Sequence, residues 1–140
     1  MNKRKVQVIL FRTNTNNEKE FLLLKTNERR GSFWQSVTGG VEENEEYKNA
    51  AVRESIEETA CPNHQMKRLL DIELDFEFHD QWGNDVKEKV FLLEIEGDFN
   101  IKIDPSEHQD YKWVHQSLID EQSVKYEMNY KALKKCIEKY

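Results

Sequence analysis

Short apolar segments separated by polar ones make up the first third of the chain. Val6–Arg12 is mostly apolar and predicts a buried strand, whereas Thr13–Lys19, with three asparagines, predicts a loop or hairpin turn. Phe21–Leu24 is again apolar and predicts a second strand, and the charged segment Asn27–Ser32 predicts a loop. Phe33–Val37 then predicts a short third strand.

A helix is predicted next, over about Glu45–Thr59, with Asn44 as its N-cap residue. Pro62 closes this segment, because a proline cannot continue a helix. The residues expected to pack this helix against a core are few and small: Ala51, Val52, Ser55 and Thr59.

The second half of the chain predicts further strands and a final helix. Leu69–Phe78 alternates between apolar and acidic residues, which predicts a half-buried strand whose inward residues are Leu70, Ile72, Leu74, Phe76 and Phe78. Gln81–Asp85 predicts a turn, Val86–Glu96 a returning strand and Tyr111–Val114 a last strand. Ser123–Tyr140 predicts a helix with an apolar stripe at Tyr126, Tyr130, Leu133, Ile137 and Tyr140.

This order of elements predicts an α/β (α+β) fold, in which a mixed sheet is sandwiched between helices. A chain of 140 residues is expected to form a single domain, residues 1–140, with a core that needs no disulfides. There are 27 acidic and 21 basic side chains, and the net charge of -6 argues against binding DNA. A small nucleotide that brings its own metal is compatible with that charge, because the ion neutralises the phosphates locally.

Two cysteines, Cys61 and Cys136, are too few for a disulfide framework and are expected to be buried thiols in a reducing cytosol. No segment approaches the ~20 apolar residues of a membrane span, so no membrane association is expected. The basic N-terminus precedes only six mostly apolar residues, Val6–Phe11, which is shorter than a signal peptide requires. These features together predict a cytoplasmic protein.

Three carboxylates on the first helix are the strongest candidates for chemistry. Glu54, Glu57 and Glu58 are spaced i, i+3 and i+4 and therefore share one helix face. At ~5 Å and an effective dielectric near 20, each pair would repel by about 3 kcal/mol, and a divalent cation would remove that cost. Oxygen ligands without Cys or His favour Mg²⁺, with Mn²⁺ as the alternative, over Zn²⁺. An isolated acidic cluster of this kind is more often a solvated helix face.

The wider pattern is Gly39-x5-Glu45-x7-Arg53-Glu54-x-x-Glu57-Glu58. It resembles the Nudix box, the signature of hydrolases that cut nucleoside diphosphates linked to another group. The resemblance implies an α/β/α sandwich in which the Gly39 carbonyl and the three helix carboxylates hold metal ions. Glu54 would be either a ligand or the general base. Arg53 would orient the helix, either in an ion pair with Glu45 or through a neighbouring loop.

The chain departs from that pattern at two positions. Ser55 occupies a position that is usually apolar, and Ala60 replaces the usual glycine, so the helix is expected to end without the commonest left-handed cap residue. Neither change removes a ligand.

A narrower resemblance comes from two motifs that flank the box. Phe33–Gly39 and the later Glu107-His108-x-x-Tyr111-Lys112-Trp113 are similar to the branch of dihydroneopterin triphosphate pyrophosphatases, or dATP pyrophosphohydrolases. This resemblance implies that Glu107 completes the metal site or acts as the base. The alternative for Glu107 is an exposed loop residue without function.

Candidate substrate contacts lie just before the box. Arg29 and Arg30 could clamp a phosphate tail, and the glycine at Gly40 allows backbone to approach it. Trp34 is a candidate for stacking on a base or pterin ring, and Gln35 and Ser36 are candidates for hydrogen bonds to the ring edge. Loop arginines without function and a tryptophan in the core are the alternatives.

Three other residues have weaker claims. His79 and His108 are not expected to be ligands. Trp82, at a hairpin tip, is expected to be exposed, either as a lid or as the contact of a homodimer.

The leading hypothesis is a metal-dependent nucleoside triphosphate pyrophosphohydrolase that releases a monophosphate and pyrophosphate. Alternative substrates are a dinucleoside polyphosphate, a nucleotide sugar or an RNA 5′ end, although the acidic charge weighs against RNA. A domain that binds nucleotides without hydrolysing them would be expected to lose box carboxylates, and all of them are present here.

Overall fold

A seven-stranded mixed sheet runs through the middle of the molecule, with one long helix on each face. The computed structural model describes residues 2–140. Its long elements, in chain order, are β1 Asn2–Thr13, β2 Lys19–Thr26, β3 Trp34–Gln35, β4 Val37–Gly40, α1 Tyr47–Thr59, β5 Met66–His79, β6 Asp85–Ile95, β7 His108–His115 and α2 Glu127–Lys139. Three single-turn 3-10 helices cover Glu28–Arg30, Asn63–Gln65 and Gln116–Leu118.

β1 is the central strand, and one of its edges pairs with two different strands, β4 near its start and β2 near its end. The strand order is β3-β2-β1-β6-β5, with β1 and β6 parallel and the other neighbours antiparallel. Near its start β1 pairs with β4, from Lys5 opposite Gly40 to Val8 opposite Val37, and near its end it pairs with β2. β7 pairs with β2. The glycine pair is therefore held beside the first residues of the central strand.

Alternation along the strands divides the core into two layers. Val6, Val8 and Leu10 of β1 pack in a layer with Ala50 and Ala51 of α1. The residues between them belong to the opposite layer, where Ile9 and Phe11 pack with Ala132, Leu133 and Cys136 of α2. Since successive strand side chains point to opposite faces, this division places the sheet between the helices. The predicted sandwich is confirmed.

Each core layer contains one cysteine. Cys61 packs in the α1 layer and Cys136 in the α2 layer, and both are free thiols. Burial raises the pKa of Cys61 to about 11 and that of Cys136 to about 12. The prediction of buried thiols is confirmed.

The predicted element bounds were wrong at three places. α1 begins at Tyr47 instead of Glu45, and Asn44 is not its N-cap but lies in the left-handed region with φ of 65°. The Glu45 side chain is instead bonded to an arginine within the helix, so this segment stays in the loop. α2 begins at Glu127, four residues later than Ser123. The single strand predicted over Phe33–Val37 is divided between β3 and β4.

The packing residues of α1 also differ from those predicted. Ala51, Ser55 and Thr59 are buried as expected, but Val52 is only partly buried and Ala50 takes its place. No helix among residues 2–140 combines the length and the hydrophobicity needed to cross a bilayer.

β5 contains a bulge that preserves its predicted alternation. Asp71 pairs with Phe91 and Asp75 with Lys89, so β5 has two more residues than β6 between these pairs. An even number of extra residues keeps the faces in phase, and Leu70, Ile72, Leu74 and Phe76 all pack in the α2 layer. Within the bulge Glu73 has a positive φ of 56°. Lys135 of α2 donates to the Ile72 carbonyl at 2.6 Å, which ties the bulge to the helix.

The end of α1 generates a stability prediction. Ala60 adopts the left-handed conformation (φ 63°, ψ 26°), and its N–H donates to the Ile56 carbonyl at 2.8 Å. This conformation is unfavourable for a residue with a Cβ and free of that cost for glycine. We expect Ala60→Gly to raise the free energy of unfolding by about 1 kcal/mol, measured by urea denaturation. Ala51→Gly, the same change inside the helix, should lower it; a loss of stability at Ala60 would contradict this account of the helix end.

Candidate active site

The three box carboxylates differ sharply in their exposure. Glu58 is 3% exposed, Glu54 is partly buried, and Glu57 is exposed. All three project from one side of α1, as their spacing predicted. The burial of Glu58 is the unusual feature, since an ionised carboxylate is costly to bury without a partner.

Arg53 connects this helix face to the loop before it. Its guanidinium donates two hydrogen bonds to Glu45, from Nε to Oε2 and from Nη2 to Oε1, each 2.9 Å long. Nη2 also donates to the Gly40 carbonyl at 2.8 Å, and Nη1 donates to Glu54 Oε1 at 2.8 Å. Glu57 Oε2 lies 3.3 Å from Nη1. Both alternatives predicted for Arg53, the pair with Glu45 and a contact with a neighbouring loop, are therefore present.

The loop itself is tied to the first strand. Arg4 donates from Nη1 to the Glu45 carbonyl and from Nη2 to the Glu42 carbonyl, both at 2.8 Å. The Glu42 N–H in turn donates to Glu45 Oε1 at 3.0 Å. The loop between β4 and α1 is thus bonded to β1 at one end and to the helix arginine at the other.

Gly39 is the point of closest approach between β4 and α1. A Cβ atom at this position would overlap the carboxylate of Glu54, whereas at Gly40 it would meet nothing. The close contact thus needs a glycine at Gly39 for space, and the φ of Gly39 is not in the left-handed region. This contact brings backbone and carboxylate oxygens together without an intervening side chain.

Glu58 and His108 form a buried pair at the base of the site. His108 Nε2 lies 3.9 Å from Glu58 Oε1, and both residues are almost inaccessible. Burial, together with nearby Arg30, lowers the pKa of His108 to about 4, so the imidazole is neutral at pH 7 and the contact is not an ion pair. In the part of the chain that the structure describes, Glu58 Oε1 and both ring nitrogens have no hydrogen-bond partner.

The charge state of Glu58 depends on what lies beside it. Burial raises the pKa of Glu58 well above its usual range, and the neighbouring Glu54 and Glu107 raise it further. Arg30 acts in the opposite direction. Burial also raises the pKa of Glu54, against the hydrogen bonds from Glu58 and Arg53. These two carboxylates are therefore held where a cation would be needed to keep both ionised.

Glu107 lies at the outer edge of this acidic face. Its carboxylate is half exposed, and Oε1 lies 4.0 Å from Arg30 Nη1. It is close enough to Glu58 to raise the pKa of that group. The loop that carries Glu107 is fastened to the loop before β3, because the Asn27 N–H donates to the Glu107 carbonyl at 3.0 Å.

The residues present fit a divalent metal by the chemistry of their donors. The candidate ligands are all oxygens, one of them is a buried carboxylate oxygen without a partner, and Gly39 allows close approach of the backbone. Among residues 2–140, however, no three Asp, Glu, His or Cys side chains are grouped closely enough to hold an ion. Arg53 explains this spacing, since its Nη1 lies between the carboxylates of Glu54 and Glu57.

A cleft of about 730 Å³ opens on the α2 side of the sheet, and its lining residue Arg30 lies 4.0 Å from Glu107 of the acidic face. Among its lining residues are three of the predicted substrate contacts, Arg29, Arg30 and Gln35. Gln35 is buried, and its Nε2 is another polar atom without a hydrogen-bond partner among the described residues. Gly40 lines a neighbouring depression instead.

The predicted stacking residue is not among those that line the cleft. Trp34 packs against the α2 core layer, with Lys112 Nζ 4.1 Å from the ring centroid. Phe33 and Tyr126 line the cleft in its place, with their rings edge-to-face at 5.5 Å between centroids. Trp82 is 74% exposed, as predicted for a hairpin tip, and lies on the cleft rim.

The candidate Ser36 lines the cleft as well, but sequence reasoning missed three further buried polar residues there: Gln7, Glu88 and Asn129. The pattern contains a sign of one of them. Glu88 is a charged residue at an inward position of β6, between Val86 and Val90. A buried carboxylate in an otherwise apolar face requires a partner, which the sequence alone does not identify.

The Glu45–Arg53 pair generates a prediction about pH. Hydrogen bonds from Arg53 lower the pKa of Glu45 to about 2. A carboxylate whose pKa falls on folding stabilises the folded protein above its unfolded pKa of about 4.3, and this contribution disappears as the pH falls through the folded pKa. We expect Glu45→Gln to destabilise the protein at pH 7 and to approach the stability of the wild type near pH 2. Urea unfolding across this pH range tests it, and a difference that does not vary with pH would contradict the charge-based explanation.

Proteins of known activity resemble this chain over nearly its whole length. A dihydroneopterin triphosphate diphosphatase from Haemophilus influenzae is 29% identical over 146 aligned residues, covering 97% of this chain and 88% of the relative. An RNA pyrophosphohydrolase from Pelagibacter ubique is 26% identical and covers 88% of this chain and 85% of its own. The solved structure of the E. coli dihydroneopterin triphosphate pyrophosphohydrolase superposes with a TM-score of 0.79 at 26% identity, covering 96% of this chain and 94% of the other.

The family model for the NUDIX domain matches residues 1–136. The matched range includes β4, α1 and the loop between them. It also includes the box carboxylates and the segment that carries Glu107. The sequence resemblance, the sheet between two helices and the acidic face of α1 agree with it. The chain belongs to the NUDIX domain family and is a Nudix hydrolase.

Proposed function

We propose that this Nudix hydrolase, as a single domain of residues 1–140, is a Mg²⁺-dependent nucleoside triphosphate pyrophosphohydrolase. Its substrate would be of the dihydroneopterin triphosphate or dATP type, and its products a monophosphate and pyrophosphate. One observation carries the proposal: Arg30, which lines the cleft, is also close enough to the buried carboxylate of Glu58 to lower its pKa. If the ring of the substrate binds in the cleft, Arg30 would bind its phosphate tail and direct it to the acidic face.

The metal would be held by Glu54, Glu57, Glu58 and Glu107, with the Gly39 carbonyl as a further ligand. Bound Mg²⁺, or Mn²⁺ in its place, would neutralise phosphate charge and acidify a bound water. A metal ion would stabilise Glu58 more than the other ligands, since one oxygen of its buried carboxylate otherwise has no partner among the described residues. Glu57 is exposed and its contacts with Arg53 are long, at 3.3 and 3.4 Å, so it is free to turn toward an ion.

Arg53 is proposed to act by position and not by touching substrate. Its four short hydrogen bonds, to Glu45, the Gly40 carbonyl and Glu54, hold the loop against the helix. The general base that deprotonates the attacking water would be Glu54 or Glu107. Glu107 is half exposed and not bonded to Arg53, which favours access to water, whereas Glu54 lies closer to Gly39.

Two arginines are proposed to bind the phosphate tail, and they are not equivalent. Arg29 Nη2 donates to the Ser106 carbonyl at 3.0 Å, so part of its guanidinium is already used within the protein. Arg30 Nη1 lies 4.0 Å from Glu107 Oε1, and among residues 2–140 its guanidinium makes no shorter ion pair, so its fork of donors can turn to an anion. Gln35, with an unpartnered Nε2, supplies a further donor at the cleft wall.

The relatives also offer other pyrophosphates as substrates. An RNA 5′ end is disfavoured by the net charge of -6, which opposes attraction of a polyanion. Hydrolysis of a dinucleoside polyphosphate or a nucleotide sugar would use the same acidic face. A domain that only senses nucleotides would not need to retain all three box carboxylates.

The proposed function is tested by a release assay for phosphate and pyrophosphate in the presence of Mg²⁺. The substrates are nucleoside triphosphates, dihydroneopterin triphosphate, nucleotide sugars, dinucleoside polyphosphates and a 5′-triphosphorylated RNA. We expect pyrophosphate from a triphosphate, and a loss of at least about 100-fold in kcat for Glu58→Gln, because the buried amide cannot take the place of an anionic ligand. Glu138→Gln, an exposed change on α2, should retain wild-type activity.

Other outcomes of this assay would redirect the proposal. Turnover confined to sugars or dinucleotides would keep the chemistry of the acidic face and contradict the triphosphate assignment. Binding of nucleotides without release of any product would contradict an enzymatic role altogether.

Arg30→Ala tests the proposed path of the phosphate tail. We expect KM for the best triphosphate to rise about tenfold with a smaller change in kcat, since a charged hydrogen bond to phosphate is lost. Arg68→Ala is the matched control, because that guanidinium pairs with Glu94 outside the cleft. An unchanged KM in Arg30→Ala would place the phosphates elsewhere. Steady-state kinetics at constant ionic strength provide the measurement.

A further inference from the structure

Glu88 is a buried carboxylate on the floor of the cleft, away from the acidic face of α1. It is 5% exposed and lies on the α2 face of β6, in phase with Val90 and Leu92. It lines the same cleft as Arg30, and the proposed metal ligands do not include it. A charged group placed here is costly unless something in the cleft uses it.

A chain of hydrogen bonds leads to this carboxylate in one direction. The backbone N–H of Ser36 donates to Asn129 Oδ1 at 2.9 Å, which identifies the oxygen of that amide. Asn129 Nδ2 therefore donates to Gln7 Oε1 at 3.1 Å and to Ser36 Oγ at 2.8 Å. Gln7 Nε2 in turn donates to Glu88 Oε1 at 2.9 Å. Because a backbone donor anchors the chain, Glu88 is the acceptor at its end.

The second carboxylate oxygen is available to a ligand. Among residues 2–140, Gln7 is the only side chain that donates to Glu88, and its bond goes to Oε1. Lys5 is near enough to favour the charged form, although burial has the larger effect and raises the pKa of Glu88. The amides of Gln7 and Asn129 use their polar atoms within the chain, so the open acceptor at the floor is Glu88.

A carboxylate at this position selects a ring edge that carries adjacent N–H donors, because such donors stabilise its ionised form. Guanine and pterin rings present a ring N–H beside an exocyclic amino group, which a carboxylate accepts in a bidentate pair. Adenine and cytosine present an amino group beside a ring nitrogen that is itself an acceptor, so one contact would be repulsive.

We infer that Glu88 is the residue that selects the heterocycle, and that this heterocycle carries the 2-amino-oxo edge of a pterin or guanine. The inference rests on the proposed function and narrows its substrate class. Phe33 and Tyr126 provide the aromatic wall of the same cleft, while Lys125 Nζ lies 4.5 Å from the Phe33 ring centroid. A ring bound at Glu88 against this wall would have its phosphates toward Arg30, which lines the same cleft.

The test compares GTP with ITP, which differ only in the 2-amino group that Glu88 would accept. For the wild type we expect kcat/KM to be about tenfold higher for GTP than for ITP, and dihydroneopterin triphosphate to be preferred over dATP. Glu88→Gln should lower kcat/KM for GTP about tenfold more than for ITP, because its amide presents a donor to a donor edge.

The matched control is Glu94→Gln, six residues along the same strand, where the carboxylate pairs with Lys67 and Arg68. It should leave the ratio of GTP to ITP unchanged. Thermal unfolding of both variants separates a loss of stability from a change in ring selection. An unchanged ratio of kcat/KM for GTP to that for ITP in Glu88→Gln, with or without a lower Tm, would overturn the inference.

Failure of the proposed function would be seen separately, as the absence of product from every triphosphate. The role of Glu88 would then be decided by calorimetric binding of GTP and ITP in Mg²⁺. A preference for GTP that Glu88→Gln removes would support it, and equal affinities in the wild type would overturn it.

Discussion

The site depends on Arg53, because this one guanidinium bonds to the loop and to the helix together. It is bonded to Glu45 and the Gly40 carbonyl on the loop side and to Glu54 on the helix side. Repulsion between Glu54, Glu57 and Glu58 would otherwise act on a short segment of helix with little apolar surface. Since an arginine stays charged throughout the physiological pH range, these hydrogen bonds persist across it. Arg53 therefore fixes the position of Glu54 relative to the glycine loop.

The cleft and the acidic face lie on opposite faces of the sheet, and β4 contributes a residue to each. Thr38 lines the cleft on the α2 side, while its neighbour Gly39 touches Glu54 on the α1 side. Under the proposed function, the ring site and the phosphate site therefore contact adjacent residues of this short strand. Changes to the cleft floor can consequently alter the choice of ring while the carboxylates of α1 stay in place, which is consistent with a family whose relatives act on different pyrophosphates.

Local patterns predicted the parts of the structure that are local. The spacing of Glu54, Glu57 and Glu58 defines one helix face, and the alternation over Leu69–Phe78 identified the inward residues of β5. What sequence could not supply were contacts between distant segments: Asn129 reaches Gln7 across 122 positions, and His108 meets Glu58 through the pairing of β7 with β2. Sequence also left two alternatives open for Trp34, a stacking contact or a core residue, because the surface that a strand side chain faces depends on register.

The separation of the core into two layers has a practical consequence for its two thiols. Cys61 and Cys136 lie on opposite sides of a continuous sheet, and burial keeps both protonated and unreactive. They cannot be joined in the folded chain, and each becomes reactive only when its own layer opens. The chain thus carries two native probes of local unfolding. The rate of thiol labelling at Cys61 would report the opening of the α1 layer, and the rate at Cys136 that of the α2 layer.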